Sequence, residues 1–116
     1  MILRLPWANS KGGSVKYFVS ATPGPMPPTP EQFDAAFSWL EGKVNDGTFD
    51  CIFGFIEGGG FSVVNADSHR DVLDLMAAYP LFGLVTWDVR PLLEFKEGIE
   101  TVRAKLVEAQ AAMAGR

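Results

Sequence analysis

The strand-like segments of this chain are apolar on both faces, and this feature limits the folds that are open to it. Residues 49–56 have the sequence Phe-Asp-Cys-Ile-Phe-Gly-Phe-Ile, which is almost continuously apolar. A strand with one face in water alternates apolar and polar residues, so a continuous run indicates that both faces are covered. Residues 17–19, 61–64 and 84–89 are composed in the same way. The chain is therefore predicted to contain a sheet that is buried on both sides.

A first helix is predicted after residues 22–30, a segment that contains five prolines. Thr29 is a favourable N-cap residue, Pro30 suits the first helical position, and Gln32 completes a capping box. The helix is expected to end at Gly47, which adopts a left-handed conformation at little cost. The proline-rich segment is either a rigid connection into this helix or a fixed rim over the mouth of a pocket.

A second helical pattern follows Asp67 or Ser68 and ends before Pro80. Between the two helices, the glycines of residues 57–60 predict a turn that joins two strands, because no Gly-Lys-Ser/Thr phosphate-binding motif follows them. The resulting order is βαββαβ. This order predicts an α+β fold in which a four-stranded antiparallel sheet carries both helices on one face. The other apolar face is then expected to pack against a second copy, in a homodimer or a multiple of dimers.

A third helix is predicted over residues 95–114. Its apolar side chains recur at steps of three and four residues and form a narrow seam. They are Ile99, Val102, Leu106, Ala109 and Met113. Three placements stay open: the helix lies across a dimer partner, it covers the edge of the sheet, or it covers the open sheet face of its own subunit and leaves a monomer.

Composition excludes several classes of function. The 116 residues suit one domain, and the net charge of −4 argues against a nucleic-acid partner. No apolar run reaches the roughly 18 residues that a membrane span requires. Cys51 is the only cysteine, so an internal disulfide is excluded, and His69 is the only histidine, so a metal site is not expected. These features fit a cytoplasmic protein without a cofactor.

The domain is predicted to cover residues 15–114. Residues 1–14 end in the polar sequence Ser-Lys-Gly-Gly-Ser and are expected to form a flexible arm outside the fold. Leu3, Leu5 and Trp7 leave a second interpretation open, in which this arm docks as an edge strand.

No catalytic motif stands out, so the candidate site consists of residues that could reach an apolar pocket. Asp88 and Arg90 lie two residues apart on one strand face. They form either a structural ion pair across the dimer or a carboxylate base with an arginine that holds an enolate. Aromatic side chains beside a carboxylate would raise its pKa by desolvation. The candidate catalytic residues are Asp88, Glu57 and Tyr17, and the candidate substrate-binding residues are Ser20, Trp39, Phe53, Trp87 and Arg90.

Residues 73–82, Leu-Asp-Leu-Met-Ala-Ala-Tyr-Pro-Leu-Phe, and residues 85–89, Val-Thr-Trp-Asp-Val, resemble the muconolactone isomerase-like family. Its signature is a helix that ends in Pro-Leu-Phe and a following strand that ends in an acidic residue and valine. Residues 47–49 and 52–53 also match the entry to that family's second strand. The resemblance covers about residues 15–92.

The resemblance implies a ferredoxin-like fold, a dimeric α/β barrel and a cofactor-free, metal-free isomerisation of a small lactone acid. This chain has Phe18, Ser20, Asp50 and Gly54 where founding members tend to have polar or basic residues. An anionic substrate needs cationic partners, so a less charged substrate is expected here.

Our first functional hypothesis is a small cofactor-independent enzyme that isomerises or cyclises a hydrophobic carbonyl or lactone compound by proton transfer. Its place would be aromatic-compound catabolism or secondary metabolism. The first alternative is a cofactor-free monooxygenase of the same barrel type that acts on a phenol. The second is a non-catalytic ligand-binding or assembly module.

Overall fold

The computed structural model describes residues 15–115. It contains four strands, three α-helices and one short 3₁₀ helix. The strands are Val15–Pro23 (β1), Phe49–Gly54 (β2), Gly60–Ala66 (β3) and Val85–Leu92 (β4). The helices are Pro30–Asn45 (α1), His69–Ala78 (α2) and Phe95–Ala114 (α3), and Phe82–Leu84 forms the 3₁₀ turn. The predicted arm and its alternative as an edge strand lie outside the described residues.

All four strands belong to one antiparallel sheet with the order β2-β3-β1-β4. Tyr17 of β1 lies opposite Val64 of β3 on one side and Pro91 of β4 on the other. The central strands β1 and β3 are therefore flanked by β2 and β4 at the two edges. This confirms the α+β prediction, and the arrangement is compatible with a ferredoxin-like fold.

The two faces of the sheet have different surroundings. Tyr17 and Val19 of β1 lie on the face that meets α1 and α2, where they are buried together with Val64, Phe49 and Val72. We call this the helix face. Side chains alternate along a strand, so their neighbours lie on the opposite side, which we call the open face. The open face carries the side chains of Phe18, Ser20, Phe61, Val63, Asp88 and Arg90, among others.

Local chemistry accounts for where α1 begins and ends. The Thr29 hydroxyl accepts a hydrogen bond from the Gln32 backbone N–H at 3.1 Å, and the Gln32 side chain accepts one from the Thr29 N–H at 2.9 Å. Gly47 follows the helix with a φ of 84°. The predicted capping box and left-handed terminus are both confirmed.

At the start of α2 the structure selects one of two predicted caps. Ser68 is the N-cap residue, and its hydroxyl accepts a hydrogen bond from the Asp71 N–H at 3.1 Å. The helix ends at Ala78, and Val72 is its buried residue. α2 therefore packs on the sheet through a single apolar side, as its sequence pattern indicates.

β2 is shorter than its apolar sequence suggests. The strand ends at Gly54 rather than Ile56, because the Phe55 N–H bonds to the Gly59 carbonyl in a turn, at 2.8 Å. Ile56 is fully exposed in this turn. The apolar run 49–56 therefore combines an edge strand with the first residues of the β2–β3 connection.

α3 has the bounds that its sequence predicts, and it is exposed along almost its whole length. It does not cover the open face of its own sheet, so that placement is not the one adopted. No helix within residues 15–115 has both the length and the hydropathy to cross a bilayer.

Gly59 joins β2 to β3 with a φ of 75°. A Cβ atom at this position would lie 2.2 Å from the Ala21 carbonyl oxygen. We therefore expect Gly59→Ala to lower the free energy of unfolding by roughly 1–3 kcal/mol or more. An alanine would be strained in this backbone conformation, and its Cβ would clash with the Ala21 carbonyl oxygen. Urea unfolding followed by circular dichroism measures the effect.

Gly42→Ala is the matched control. Gly42 is helical, and nothing lies within 4 Å of a Cβ atom built there. The same substitution should raise the free energy of unfolding by about 0.5–1 kcal/mol. Equal unfolding midpoints for the two variants would contradict the described turn.

Candidate functional site

A cavity of about 650 Å³ lies between α1 and the helix face of the sheet. This volume is within the usual range for small-molecule sites. α1 forms one wall through Phe33, Ala36, Phe37 and Leu40, and β1, β2 and β3 form the floor. The cavity is open to solvent on one side, so a ligand can enter without unfolding of the domain.

Small residues in the sheet create this space. Ala21 of β1 lies opposite Gly60 of β3, which in turn lies opposite Gly54 of β2. All three line the cavity. This row crosses three neighbouring strands, has no large side chain and leaves a gap beneath α1. The cavity therefore depends on one row of paired residues and not on a single residue.

Three aromatic rings form a wall at one end of the cavity. The Tyr79 ring centroid lies 5.4 Å from that of Trp39 and 5.5 Å from that of Trp87. The Trp87 indole N–H donates a hydrogen bond to the Phe82 carbonyl at 3.1 Å. Because each ring is held by its neighbours, this wall presents a fixed apolar surface to a ligand.

Few polar groups line the cavity. Ser62 is buried on the helix face, and Glu41 and Asn45 lie on α1 with exposed side chains. No Lys, Arg or His residue is among the lining residues that the structure describes. Nor do three His, Cys, Asp or Glu side chains of residues 15–115 cluster in the geometry of a metal site.

Tyr79 is the polar group at the centre of the aromatic wall. Desolvation by burial raises the pKa of its hydroxyl above the ordinary value of 10.0. The hydroxyl is therefore protonated throughout the physiological range and acts as a hydrogen-bond donor. Among the hydrogen bonds between described residues, none uses this hydroxyl, so it can donate to a ligand.

The structure brings together two of the predicted substrate-binding rings. Trp39 of α1 and Trp87 of β4 line the cavity and offer apolar contact and a stacking surface. Phe53 of β2 also borders the cavity, but its ring lies on the open face, where it stacks on Phe61.

Asp88 and Arg90 lie elsewhere, on the open face. An Arg90 Nη2 atom lies 3.1 Å from Asp88 Oδ2, and both side chains are largely exposed. This is a surface ion pair within one strand, whereas the sequence left an ion pair across a dimer as one alternative. Ser20 is buried on the same face, opposite Asp88.

Asp50 belongs to a second polar group at the other edge of the open face. Its carboxylate lies 2.5 Å from Lys16 Nζ and accepts a hydrogen bond from the Asn65 amide at 2.7 Å. Asn65 also accepts one from Lys16 at 2.7 Å. The three residues connect β1, β2 and β3, so Asp50 belongs to a polar network that links these strands.

The remaining two predicted catalytic residues do not reach the cavity either. Tyr17 is 2% exposed, and its hydroxyl is hydrogen-bonded to His69 Nδ1 at the start of α2. Glu57 is exposed in the β2–β3 turn. Asp88, Glu57 and Tyr17 therefore occupy three separate places and do not form one catalytic group in this chain.

Tyr79, Ser62 and Glu41 line the cavity but were not among the sequence candidates. The sequence could have indicated Ser62, because it is a polar residue on the same strand face as the apolar residue Val64. Tyr79 follows the last residue of α2 and has an extended backbone. Its direction depends on how that helix ends, which apolar periodicity does not reveal.

The raised pKa of Tyr79 predicts a specific pH dependence of stability. The folded state binds the phenolic proton more tightly than the unfolded state, so the free energy of unfolding falls as pH rises from about 10 through the folded pKa. We expect Tyr79→Phe to remove this part of the fall. Urea unfolding of both proteins between about pH 9 and about pH 12 measures it. Parallel pH profiles for wild type and variant would show that Tyr79 is not desolvated.

Comparison with protein-family models and with curated proteins found no match to this chain. The kind of molecule that the cavity could hold is therefore inferred from the side chains that line it.

Proposed function

We propose that the protein is a small cofactor-independent enzyme, similar in kind to the muconolactone isomerases, that rearranges a hydrophobic carbonyl or lactone compound by proton transfer. One observation carries the proposal. The aromatic cavity combines a protonated phenol, Tyr79, with a carboxylate at its mouth, Glu41. A hydrogen-bond donor and a base are the two groups that proton abstraction beside a carbonyl requires.

The lining supports a neutral substrate. A carboxylate-bearing lactone would need a cationic side chain to replace its hydration, and none lines the described cavity. The apolar wall of Trp39, Tyr79 and Trp87 instead favours a flat, uncharged ring. The substrate class is therefore an unsaturated ketone or lactone without an acid group.

In this proposal the cavity residues have distinct roles. Tyr79 donates a hydrogen bond to the carbonyl oxygen and stabilises the negative charge that develops there. Glu41 accepts the proton from the carbon next to the carbonyl and returns it to a more distant carbon, so that the double bond migrates and atoms and charge balance. Ser62 is placed to hold the ring or the carbonyl from the sheet side.

We also propose the dimeric α/β barrel, formed when open faces of two copies pack together. On this face Phe18, Phe61 and Phe53 form a stacked row, with ring centroids 5.3 Å and 5.8 Å apart. Phe53 is 60% exposed in the single chain. An exposed aromatic row bordered by the Lys16–Asp50 and Arg90–Asp88 pairs has the apolar centre and polar rim of a protein interface.

A cofactor-free monooxygenase that acts on a phenol is a second candidate. The observation that favours it is the same aromatic wall, which can stack on an electron-rich ring without any charged partner. This reaction consumes molecular oxygen, whereas the isomerisation does not.

Proton exchange in D₂O tests the proposed reaction. We expect the wild-type protein to catalyse deuterium incorporation beside the carbonyl of a cyclic enone or unsaturated lactone, observed by NMR. Tyr79→Phe should slow this by about 10²–10³-fold, because an oxyanion donor is lost. Glu41→Gln should slow it by about 10²–10⁴-fold, because the base is lost.

The same assay separates the alternatives. Glu57→Gln is the control, because Glu57 lies in the exposed turn outside the cavity. Oxygen uptake with a phenol in place of deuterium exchange would establish the monooxygenase. Ligand binding with neither reaction, over a panel of enones, lactones and phenols, would overturn the enzyme proposal in favour of a binding module.

Filling the cavity tests where the ligand binds. Ala21→Leu places a larger side chain in the row of small residues and should weaken the binding of Nile red, a neutral apolar dye, by an order of magnitude or more. Thr22→Leu is the control, because Thr22 is the next residue of β1 and does not line the cavity. Fluorescence titration measures both. Equal loss in the two variants would place the dye on another surface.

A further inference from the structure

α3 carries an apolar stripe that is exposed over the full length of the helix. Its six side chains are spaced alternately four and three residues apart. They are Phe95, Ile99, Val102, Leu106, Ala109 and Met113. Phe95 is 82% exposed and Leu106 is 65% exposed. This spacing is that of the a and d positions of a seven-residue repeat, which pack against another helix. We call these residues the α3 stripe.

Charges are segregated around the α3 stripe. In the same repeat, the e and g positions that border the stripe contain three basic residues and no acidic one. The basic residues are Lys96, Arg103 and Lys105, and the acidic residues Glu97, Glu100 and Glu108 fall at the outer b, c and f positions. The helix is therefore apolar at the centre of one side, basic along its borders and acidic at the back.

This pattern disfavours pairing of two α3 helices. In a two-stranded coiled coil the e and g positions of one helix face those of the other, so Lys96, Arg103 and Lys105 would meet like charges. The surface that covers the stripe should instead be apolar and bordered by acidic residues.

α1 presents a surface of this kind at the mouth of the cavity. Phe33 and Phe37 are 57% and 59% exposed, although both line the cavity. Asp34 and Glu41 lie on the same flank of the helix, because each follows a residue of the apolar series 33, 37, 40 and 44. We call Phe33, Asp34, Phe37 and Glu41 the α1 rim. Since Glu41 also lines the cavity, Asp34 is the rim residue available to pair with basic side chains.

The topology separates the start of α3 from the α1 rim of its own chain. α3 begins three residues after β4, which is the edge strand farthest from β2. α1 packs over the β2 side of the sheet. α3 also leaves the sheet where Leu92 pairs with Lys16 at the start of β1, whereas Phe33 and Phe37 lie on the helix that follows the end of β1.

We propose that the α3 stripe of one copy docks along the α1 rim of a second copy and closes the mouth of the partner's cavity. Apolar side chains meet at the centre of this contact, and Lys96, Arg103 or Lys105 pair with Asp34 at its border. Only the closing of a ligand site rests on the proposed function. The contact itself rests on exposed apolar surfaces and complementary charge.

Disulfide cross-linking between differently tagged chains tests the contact. Both chains carry Cys51→Ser, one also carries Phe37→Cys, and the other carries Ile99→Cys, Val102→Cys or Leu106→Cys. After co-expression and oxidation we expect cross-linked pairs that contain both tags. Glu100→Cys, Ala104→Cys and Glu108→Cys on the back of α3 are the controls and should cross-link several-fold less. Equal yields from the two sides of the helix would overturn the proposal.

Charge reversal gives a second, independent readout. Arg103→Glu with Lys105→Glu should reduce the cross-link several-fold, and Asp34→Lys in the partner chain should restore part of it. A single chain that carries both Phe37→Cys and Val102→Cys tests whether α3 folds back onto α1 of its own chain. A cross-link within this chain, and none between chains, would overturn docking on a second copy. Binding of α3 to vesicles of phosphatidylglycerol, without any cross-link, would assign the stripe to a membrane surface instead.

The outcome is separable from that of the proposed function. Phe61→Glu on the open face should disrupt the proposed barrel, and size-exclusion chromatography with light scattering reports on it. A cross-link through the α3 stripe without any deuterium exchange on an enone would support the α3 contact and contradict the proposed enzyme. Deuterium exchange without any cross-link through the α3 stripe would support the proposed enzyme and contradict the α3 contact.

Discussion

The sheet of this protein has two apolar faces, and of the helices within residues 15–115 only α1 and α2 pack on it. Most of its architecture depends on this imbalance. On the helix face, Tyr17, Val19 and Val64 form a buried core with the two helices. On the open face, Phe18, Phe61 and Phe53 stack on one another without a helix above them. Burial of apolar surface is the main favourable term in folding, so covering the open face in the proposed dimer would add stability.

The helix face also contains space that its side chains do not fill, and this space is the cavity. Ala21, Gly60 and Gly54 form a row beneath α1, and a larger side chain at Ala21 would fill part of the gap. Val19 and Ile52 lie in the next row on the same face, so larger side chains are accommodated elsewhere along these strands. This gap beside an aromatic wall is the arrangement on which the proposed ligand site rests.

Local signals in the sequence were sufficient to predict the elements, because each depends on only a few neighbouring residues. Thr29, Pro30 and Gln32 placed the start of α1, and the apolar runs placed all four strands. The predicted end of β2 was wrong by two residues, because the Phe55 N–H donates a hydrogen bond to the Gly59 carbonyl across the turn. The site was harder to predict. Asp88 and Arg90 were correctly placed on one strand face, but only the packed structure shows that this face points away from the cavity.

Three apolar surfaces on one small chain constrain how copies can assemble. The open face can pack on itself, because an interface on a twofold axis uses the same surface from both subunits. The α3 stripe and the α1 rim differ from each other and have opposite border charges, so they match only between different places on two copies. In the proposed assembly a twofold dimer would combine both contacts, with each copy donating one α3 and receiving the other. In such a dimer each cavity would be bounded by residues of both chains, and ligand entry would depend on the movement of a helix that belongs to the partner.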